Sequence, residues 1–127
     1  MLSVQTSPGE FLDKLTILEI KAERISDASK LVNVRRELEL LRATWAASPL
    51  AARDVTALTA ELKAVNERLW EIEDEIRACE AARDFGAGFV ELARAVYRTN
   101  DRRAEIKREL NLALGSELIE EKSYRPY

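Results

Sequence analysis

The residues with the most evident chemical capacity lie in one basic and polar run, YRTNDRRAEIK, from Tyr97 to Lys107. Within this run Thr99 and Arg103 interrupt an apolar helical spacing, so we expect Arg103 to face the interior of the protein. A buried guanidinium is costly unless an acid pairs with it, and it also binds phosphates and carboxylates well. The candidate anion-binding residues of this run are Asn100, Arg102, Arg103 and Lys107.

Arg103 also has a purely structural interpretation. A polar layer inside a helical bundle fixes the register of the helices at some cost in stability. The acids available to meet Arg103 are Asp13, Glu19, Glu23, Glu67 and Glu71, and Asn66 lies beside the facing position Val65. The sequence leaves the structural and the ligand-binding interpretations open.

The stretch SPGEFLDK, from Ser7 to Lys14, adds charged candidates at the start of a predicted helix. Ser7 is a favourable N-cap, Pro8 suits the first helical position, and Glu10 completes a capping box. The residues of this helix that would join Arg103 in a small-molecule or nucleotide site are Glu10, Asp13, Lys14 and Lys21.

Acidic pairs at helical spacing suggest a weaker candidate for a metal site. Glu71 and Asp74 are three residues apart, as are Glu10 and Asp13. Each pair could direct two carboxylate oxygens at Mg²⁺, as acidic pairs do in all-helical nucleotide pyrophosphatases. A chorismate-mutase-like bundle that binds a dicarboxylate between helices is a further analogy from fold class. With no histidine and one cysteine in the chain, we expect no other metal or cofactor.

Arg94, Arg98 and Arg102 form a basic stripe at intervals of four residues. We expect these arginines to form ion pairs across a helical hairpin rather than to bind RNA. Their predicted acidic partners are Glu67, Glu71, Glu73, Asp74 and Glu75. The formal net charge of −3, from 20 basic and 23 acidic residues, disfavours nucleic-acid binding by bulk attraction.

We expect helices to position all of these side chains. The chain of 127 residues contains only 4 Gly and 3 Pro, a composition that favours an all-α fold. Apolar residues spaced by three and four predict one helix over about 8–25 and a second over about 28–47. Their stripes match as an antiparallel hairpin in which Phe11 faces Trp45 and Leu18 faces Leu38. Ser48-Pro49 ends the second helix.

A second, longer hairpin with coiled-coil-like heptad spacing is predicted over about 54–83 and 89–114. Asp54 is a plausible cap for the first helix of this hairpin. Gly86 and Gly88 are expected to open the turn, and Gly115 is expected to end the second helix. We call its apolar interface the seam. The seam residues are Val55, Leu58, Leu62, Val65, Leu69, Ile72, Ile76, Cys79, Phe89, Leu92, Val96, Thr99, Arg103, Ile106, Leu110 and Ala113.

The two hairpins are expected to pack as one antiparallel bundle, forming a single domain over 1–127 with 116–127 as a C-terminal tail. Leu118, Ile119, Tyr124 and Tyr127 of the tail are candidate docking groups. The first hairpin is the shorter, so the far part of the second would be left for a second subunit to cover, which predicts a homodimer. With no signal peptide or apolar span, we expect a cytoplasmic protein without a membrane segment.

The segments SPGEFLDKLTILEIKAERI and VYRTNDRRAEIKREL resemble those of an uncharacterised family of short proteins from bacteria and phages. In that family the opening reads Ser-Pro-Gly-Glu, then Asp-Lys, then Thr-Ile-Leu-Glu-Ile-Lys, which here are residues 7–10, 13–14 and 16–21. The resemblance extends over nearly the whole chain and implies no catalytic or binding role. We therefore expect a protein-interaction or self-association module, with an anion-binding protein or enzyme as the alternative.

Overall fold

The computed structural model describes residues 1–116 and residue 121, and it confirms an all-α fold. The elements are α1 (Pro8–Arg24), α2 (Ala28–Ala47), a 3₁₀ helix (Pro49–Ala52), α3 (Thr56–Ala81) and α4 (Ala87–Ala113). Every helix end lies within two residues of its predicted position, because apolar spacing and capping residues act locally.

Side-chain caps set the start of the first two helices, Ser7 as predicted for α1 and Asp27, which was not predicted, for α2. Ser7 Oγ accepts a hydrogen bond from Glu10 N at 3.2 Å, and Asp27 Oδ1 accepts one from Ser29 N at 2.9 Å. The Ser29 hydroxyl also donates to Asp27, and together with the backbone N–H groups it holds the pKa of Asp27 below its usual value. Asp54 accepts from the N–H of Thr56, the first residue of α3, at 3.1 Å.

The turn between α3 and α4 differs from the prediction. The residue in the left-handed region is Arg83, at φ 53°, and its N–H donates to Glu80 O at 3.0 Å. Asp84 N donates to Cys79 O at 2.9 Å, which completes a Schellman ending for α3. Gly86 is instead the N-cap residue of α4, and Gly88 lies within that helix. The glycines therefore do not form the reversal itself.

α1 is the central helix of the bundle, because it packs against α2, α3 and α4. Leu62 and Ile72 of α3 and Ile106 and Leu110 of α4 have no exposed surface, and α1 adds Leu12, Leu18 and Ile20 to the buried side chains. α2 packs on α1 and on the 3₁₀ helix, and Leu38 is its single buried residue. The two hairpins thus meet through α1.

The register predicted for the first hairpin is supported by its aromatic pair. Phe11 and Trp45 stack with their ring centroids 6.1 Å apart. On the other side of α1, Glu23 accepts a hydrogen bond from Lys63 Nζ of α3 at 2.5 Å, which raises the pKa of Lys63. Arg24, the last residue of α1, lies 3.5 Å from both Glu67 and Glu71, so α1 ends between those two levels of α3.

In the described part of the chain, none of the helices combines the length and apolarity needed to cross a bilayer. The four apolar and aromatic docking candidates of the tail, Leu118, Ile119, Tyr124 and Tyr127, lie outside the described residues.

Candidate functional site

The centre of the bundle holds an acid–arginine pair. Arg103 of α4 donates from Nε to Asp13 Oδ1 at 2.8 Å and from Nη2 to Asp13 Oδ2 at 2.5 Å. Asp13, on α1, is only 2% exposed. The bidentate geometry satisfies both oxygens of the buried carboxylate, while the Arg103 side chain is only partly buried, at 28% exposure. Of the acids that the sequence offered to Arg103, the structure selects Asp13.

Two further side chains complete a polar layer around this pair. Asn66 Nδ2, on α3, donates to Asp13 Oδ1 at 3.0 Å and to Thr16 Oγ1 at 3.1 Å. Thr16 in turn donates to the backbone oxygen of Asp13 at 2.8 Å. We call Asp13, Thr16, Asn66 and Arg103 the polar layer. It links three helices, and every buried side-chain nitrogen or oxygen in the described residues has a partner.

A second set of contacts joins the start of α1 to the last turns of α4. Lys107 Nζ lies 2.7 Å from Glu10, and Gly9 N donates to Asn111 Oδ1 at 2.7 Å. A Cβ at Gly9 would lie 2.4 Å from the backbone oxygen of Lys107, so no other residue fits without a shift of the helices. Ser-Pro-Gly-Glu is thus both a helix start and a docking point on α4.

Sequence reasoning missed Thr16, Gly9 and Asn111. A usable signal for Gly9 is its position in the first turn of a helix, where glycine is unfavourable unless another backbone approaches closely. Thr16 lies one turn after Asp13 on the same face of α1, but that spacing alone does not single it out. No local feature of the sequence indicates that Asn111 accepts a hydrogen bond from Gly9.

Two predicted site residues lie away from this cluster. Lys14 projects toward α2, where it lies 2.9 Å from Glu37 at the surface. Arg102 crosses the hairpin to Glu61, with Nε 3.0 Å from the carboxylate, and also contacts Glu105 and Glu109 of its own helix. The hydrogen bond to Glu61, and to a smaller extent the one to Glu105, raises the pKa of Arg102 above its usual value.

Within the described residues, Arg102 forms the predicted ion pair across the hairpin, but with Glu61, an acid of α3 that was not among the predicted partners. Arg94 and Arg98 both contact Glu91 of their own helix, at 3.8 and 3.1 Å. Among the proposed acidic partners, Glu71 instead lies near Arg24 and Arg68.

The remaining predicted residues border an open groove. Lys21, Asn100 and Arg103 line a space of about 460 Å³ where α1 and α4 separate beyond the polar layer. The other lining residues are Ile17, Ile20, Asn66, Leu69, Trp70, Glu73, Asp74, Arg77 and Val96. The groove is mainly apolar with charged side chains at its α3 edge.

The predicted magnesium ligands are not brought together as a metal site. Glu71 contacts Arg24 and Arg68, and Asp74 lines the groove. Across the described residues, no group of three or more acidic, cysteine or histidine side chains is placed to hold a metal ion.

Next to the groove, and sharing Trp70, Asp74 and Arg77 with it, the α3–α4 hairpin extends past the end of α1 with a surface that no other described helix covers. Seam residues Ile76 and Leu92 are partly exposed there, whereas Leu62 and Ile106 at the other end are 0% exposed. Phe85 and Phe89 meet edge to face at 5.2 Å near the turn. We call this surface the distal face. It consists of Trp70, Asp74, Arg77, Phe89, Val90 and Tyr97.

Comparisons with known proteins agree with the resemblance seen in the sequence. No curated protein and no solved structure matches the chain. A family model does match, over residues 2–126, and this covers nearly the whole chain, including both segments that form the polar layer. The protein therefore belongs to the family of unknown function DUF6165.

Proposed function

We propose that this protein is a helical interaction module that binds amphipathic helices of a partner on its distal face. The observation that carries the proposal is the contrast along one seam. Leu62 and Ile106 are completely buried under α1, while Ile76 and Leu92 remain partly exposed beyond its end. An amphipathic helix placed there would continue the layer that α1 begins, which is the helix-in-groove mode of recognition.

The polar layer supports this function indirectly. Arg103 is held by both oxygens of Asp13, so its interaction with α1 is strong and directional. Such a pair favours one register of α1 on the hairpin over slipped alternatives, in which a buried charge would lose its partner. A fixed register leaves the same surface of α3 and α4 uncovered in every molecule, as a binding module requires.

The composition of the distal face fits a protein partner. Val90 is 44% and Tyr97 is 57% exposed, and they lie seven residues apart on one stripe of α4. On α3, Trp70 lines the groove together with Val96 of α4 and with the charged side chains of Glu73, Asp74 and Arg77. Exposed aromatic and apolar groups with a charged rim are typical of interface centres.

Site-specific crosslinking in cells tests the proposal. With p-benzoylphenylalanine replacing Tyr97, illumination should give one discrete adduct. The matched control replaces Leu40 of α2, which is 56% exposed and lies outside the distal face. An adduct at position 97 and none at position 40 supports the function. Absence of any adduct at position 97, or equal labelling at both positions, contradicts it.

The groove favours a second candidate, a small-molecule or nucleotide-handling protein that binds an anion with an apolar body. A space of about 460 Å³ has the size of ligand pockets in general. The chemistry would come from Lys21 and Asn100, since the polar layer already engages Arg103 through Asp13.

Thermal shift with inorganic phosphate and pyrophosphate tests the second candidate. Stabilisation of the wild type that is lost in Lys21→Met would support it, with Lys14→Met as the control because Lys14 lies at the surface beside Glu37. Arg103→Leu gives a further comparison. A ligand response that survives both Lys21→Met and Arg103→Leu would contradict a site in the groove.

A further inference from the structure

We propose that the occupant of the distal face is the distal face of a second copy of this chain, packed antiparallel about a two-fold axis. This inference rests on the proposed interaction function and adds the identity of the partner. The arrangement makes an intermolecular four-helix bundle from two hairpin ends. Three independent features of the distal face fit it: its length, its charges and its side-chain sizes.

The length fits because each copy covers what the other leaves open. α1 ends between the levels of Glu67 and Glu71, since Arg24 lies 3.5 Å from a carboxylate oxygen of each, and α3 gives way to the turn at Arg83. With the two-fold axis between Glu75 and Ile76, the turn of one copy comes level with Arg68 of the other. The tip of each hairpin then abuts the end of α1 in the other copy. A parallel arrangement is excluded because α1 occupies the rest of that face.

The charges on α3 are self-complementary under this arrangement. Asp74 makes no ion pair within the described residues, and Arg77, whose side chain is 75% exposed, forms an ion pair with Glu73 of its own helix at 2.9 Å. When two α3 helices run antiparallel about the stated axis, Asp74 of each copy meets Arg77 of the other. Trp70 comes opposite Ala81 at the same time, so that a large side chain faces a small one.

The side chains on α4 match about the same level of the hairpin. With a centre between Leu92 and Ala93, Phe89 of each copy lies opposite Val96 of the other, and Tyr97 lies opposite Gly88. Among the described residues the space around Gly88 is open, since a Cβ built there has no neighbour within 4 Å. One two-fold axis can pass through both centres. The centre on α4 lies at the same height along the hairpin as the centre on α3, because Ile76 and Leu92 face each other in the predicted register of the seam.

Charge exchange in the purified full-length chain tests the inference. Asp74→Arg leaves two basic residues at the proposed contact, and Arg77→Asp leaves two acidic ones. We expect each variant to self-associate about tenfold more weakly than the wild type. An equimolar mixture should recover the wild-type affinity as a heterodimer, because each charge again meets its opposite. Sedimentation velocity across a concentration series measures all three samples.

Arg36→Asp on α2 is the matched control, an exposed arginine away from the distal face, and it should dimerise like the wild type. Circular dichroism checks that the surface variants stay folded. A wild type that remains monomeric up to about 100 µM overturns the inference. The inference is also overturned if the equimolar mixture of Asp74→Arg and Arg77→Asp associates no more tightly than either variant alone. If position 97 then crosslinks to a different protein in cells, the interaction function stands and only the second copy is excluded.

Discussion

The covered and the uncovered ends of the α3–α4 hairpin have the same heptad pattern and different structures. At the covered end α1 completes the core, and Leu62 and Ile106 lose all contact with water. At the distal end the same pattern leaves Ile76 and Leu92 partly exposed. A repeated apolar seam therefore specifies how two helices pair, but a third helix decides which part of the pair becomes core. The following predictions test that contrast.

Loss of the central acid should have the largest effect. Asp13→Ala leaves Arg103 and Asn66 without their shared acceptor, and we expect a loss of about 3 kcal/mol in the free energy of unfolding. Glu91→Ala removes an exposed acid at the distal end and should cost less than about 0.5 kcal/mol. Urea unfolding measures both. A loss below about 1 kcal/mol for Asp13→Ala would show that the polar layer contributes little to stability.

Truncation of equivalent leucines should separate the two ends of the seam. Leu62→Ala creates a cavity under α1 and should cost about 3 kcal/mol. Leu92→Ala removes a side chain that is already partly hydrated, and should cost about 1 kcal/mol. Denaturant unfolding in dilute protein gives the comparison. Equal losses at the two positions would mean that the distal end is as well packed as the covered end.

Two glycines offer a matched test of helix contact. Gly9→Ala forces a methyl group against the backbone of Lys107 and should destabilise the protein by about 2 kcal/mol. Gly88→Ala places a methyl group with no neighbour within 4 Å among residues 1–116 and should stabilise α4 by about 0.5 kcal/mol, through helix propensity. Thermal melts of dilute protein measure both changes. Stabilisation by Gly9→Ala would contradict the close approach of α1 to α4.

A smaller effect than that of Gly9→Ala is expected at the turn. Arg83 adopts a left-handed conformation at φ 53°, so Arg83→Gly should stabilise the protein by about 1 kcal/mol. Gly115 has φ 67° at the end of α4, and Gly115→Ala should cost a similar amount. The melting temperature measures each change. If Arg83→Gly is neutral or destabilising, the arginine side chain contributes to the turn in another way.

Sequence reasoning located the four helices because its signals are local. Ser7 and Asp27 cap helices through their nearest backbone neighbours, and Phe11 and Trp45 are matched by the lengths of the helices and the turn between them. The need for an acid beside Arg103 also followed from the cost of burying an unpaired guanidinium. None of these inferences depends on how the hairpins are arranged.

The identity of the site depended on distant contacts. Asp13 and Arg103 are separated by 90 positions, and Gly9 and Asn111 by 102. Several acids of α1 and α3 satisfied the same local rules, so the sequence could not rank them. Lys14, the next residue after Asp13, was predicted to belong to the same site, yet it contacts Glu37 of α2.

Composition, apolar spacing and capping residues suffice to define four amphipathic helices and their pairing into hairpins, since these depend on neighbours within a few turns. The central position of α1, the closed polar layer and the uncovered distal face follow from packing one hairpin on another. That packing is cooperative and long-range, because each buried side chain finds its partner only when all the helices occupy their places together.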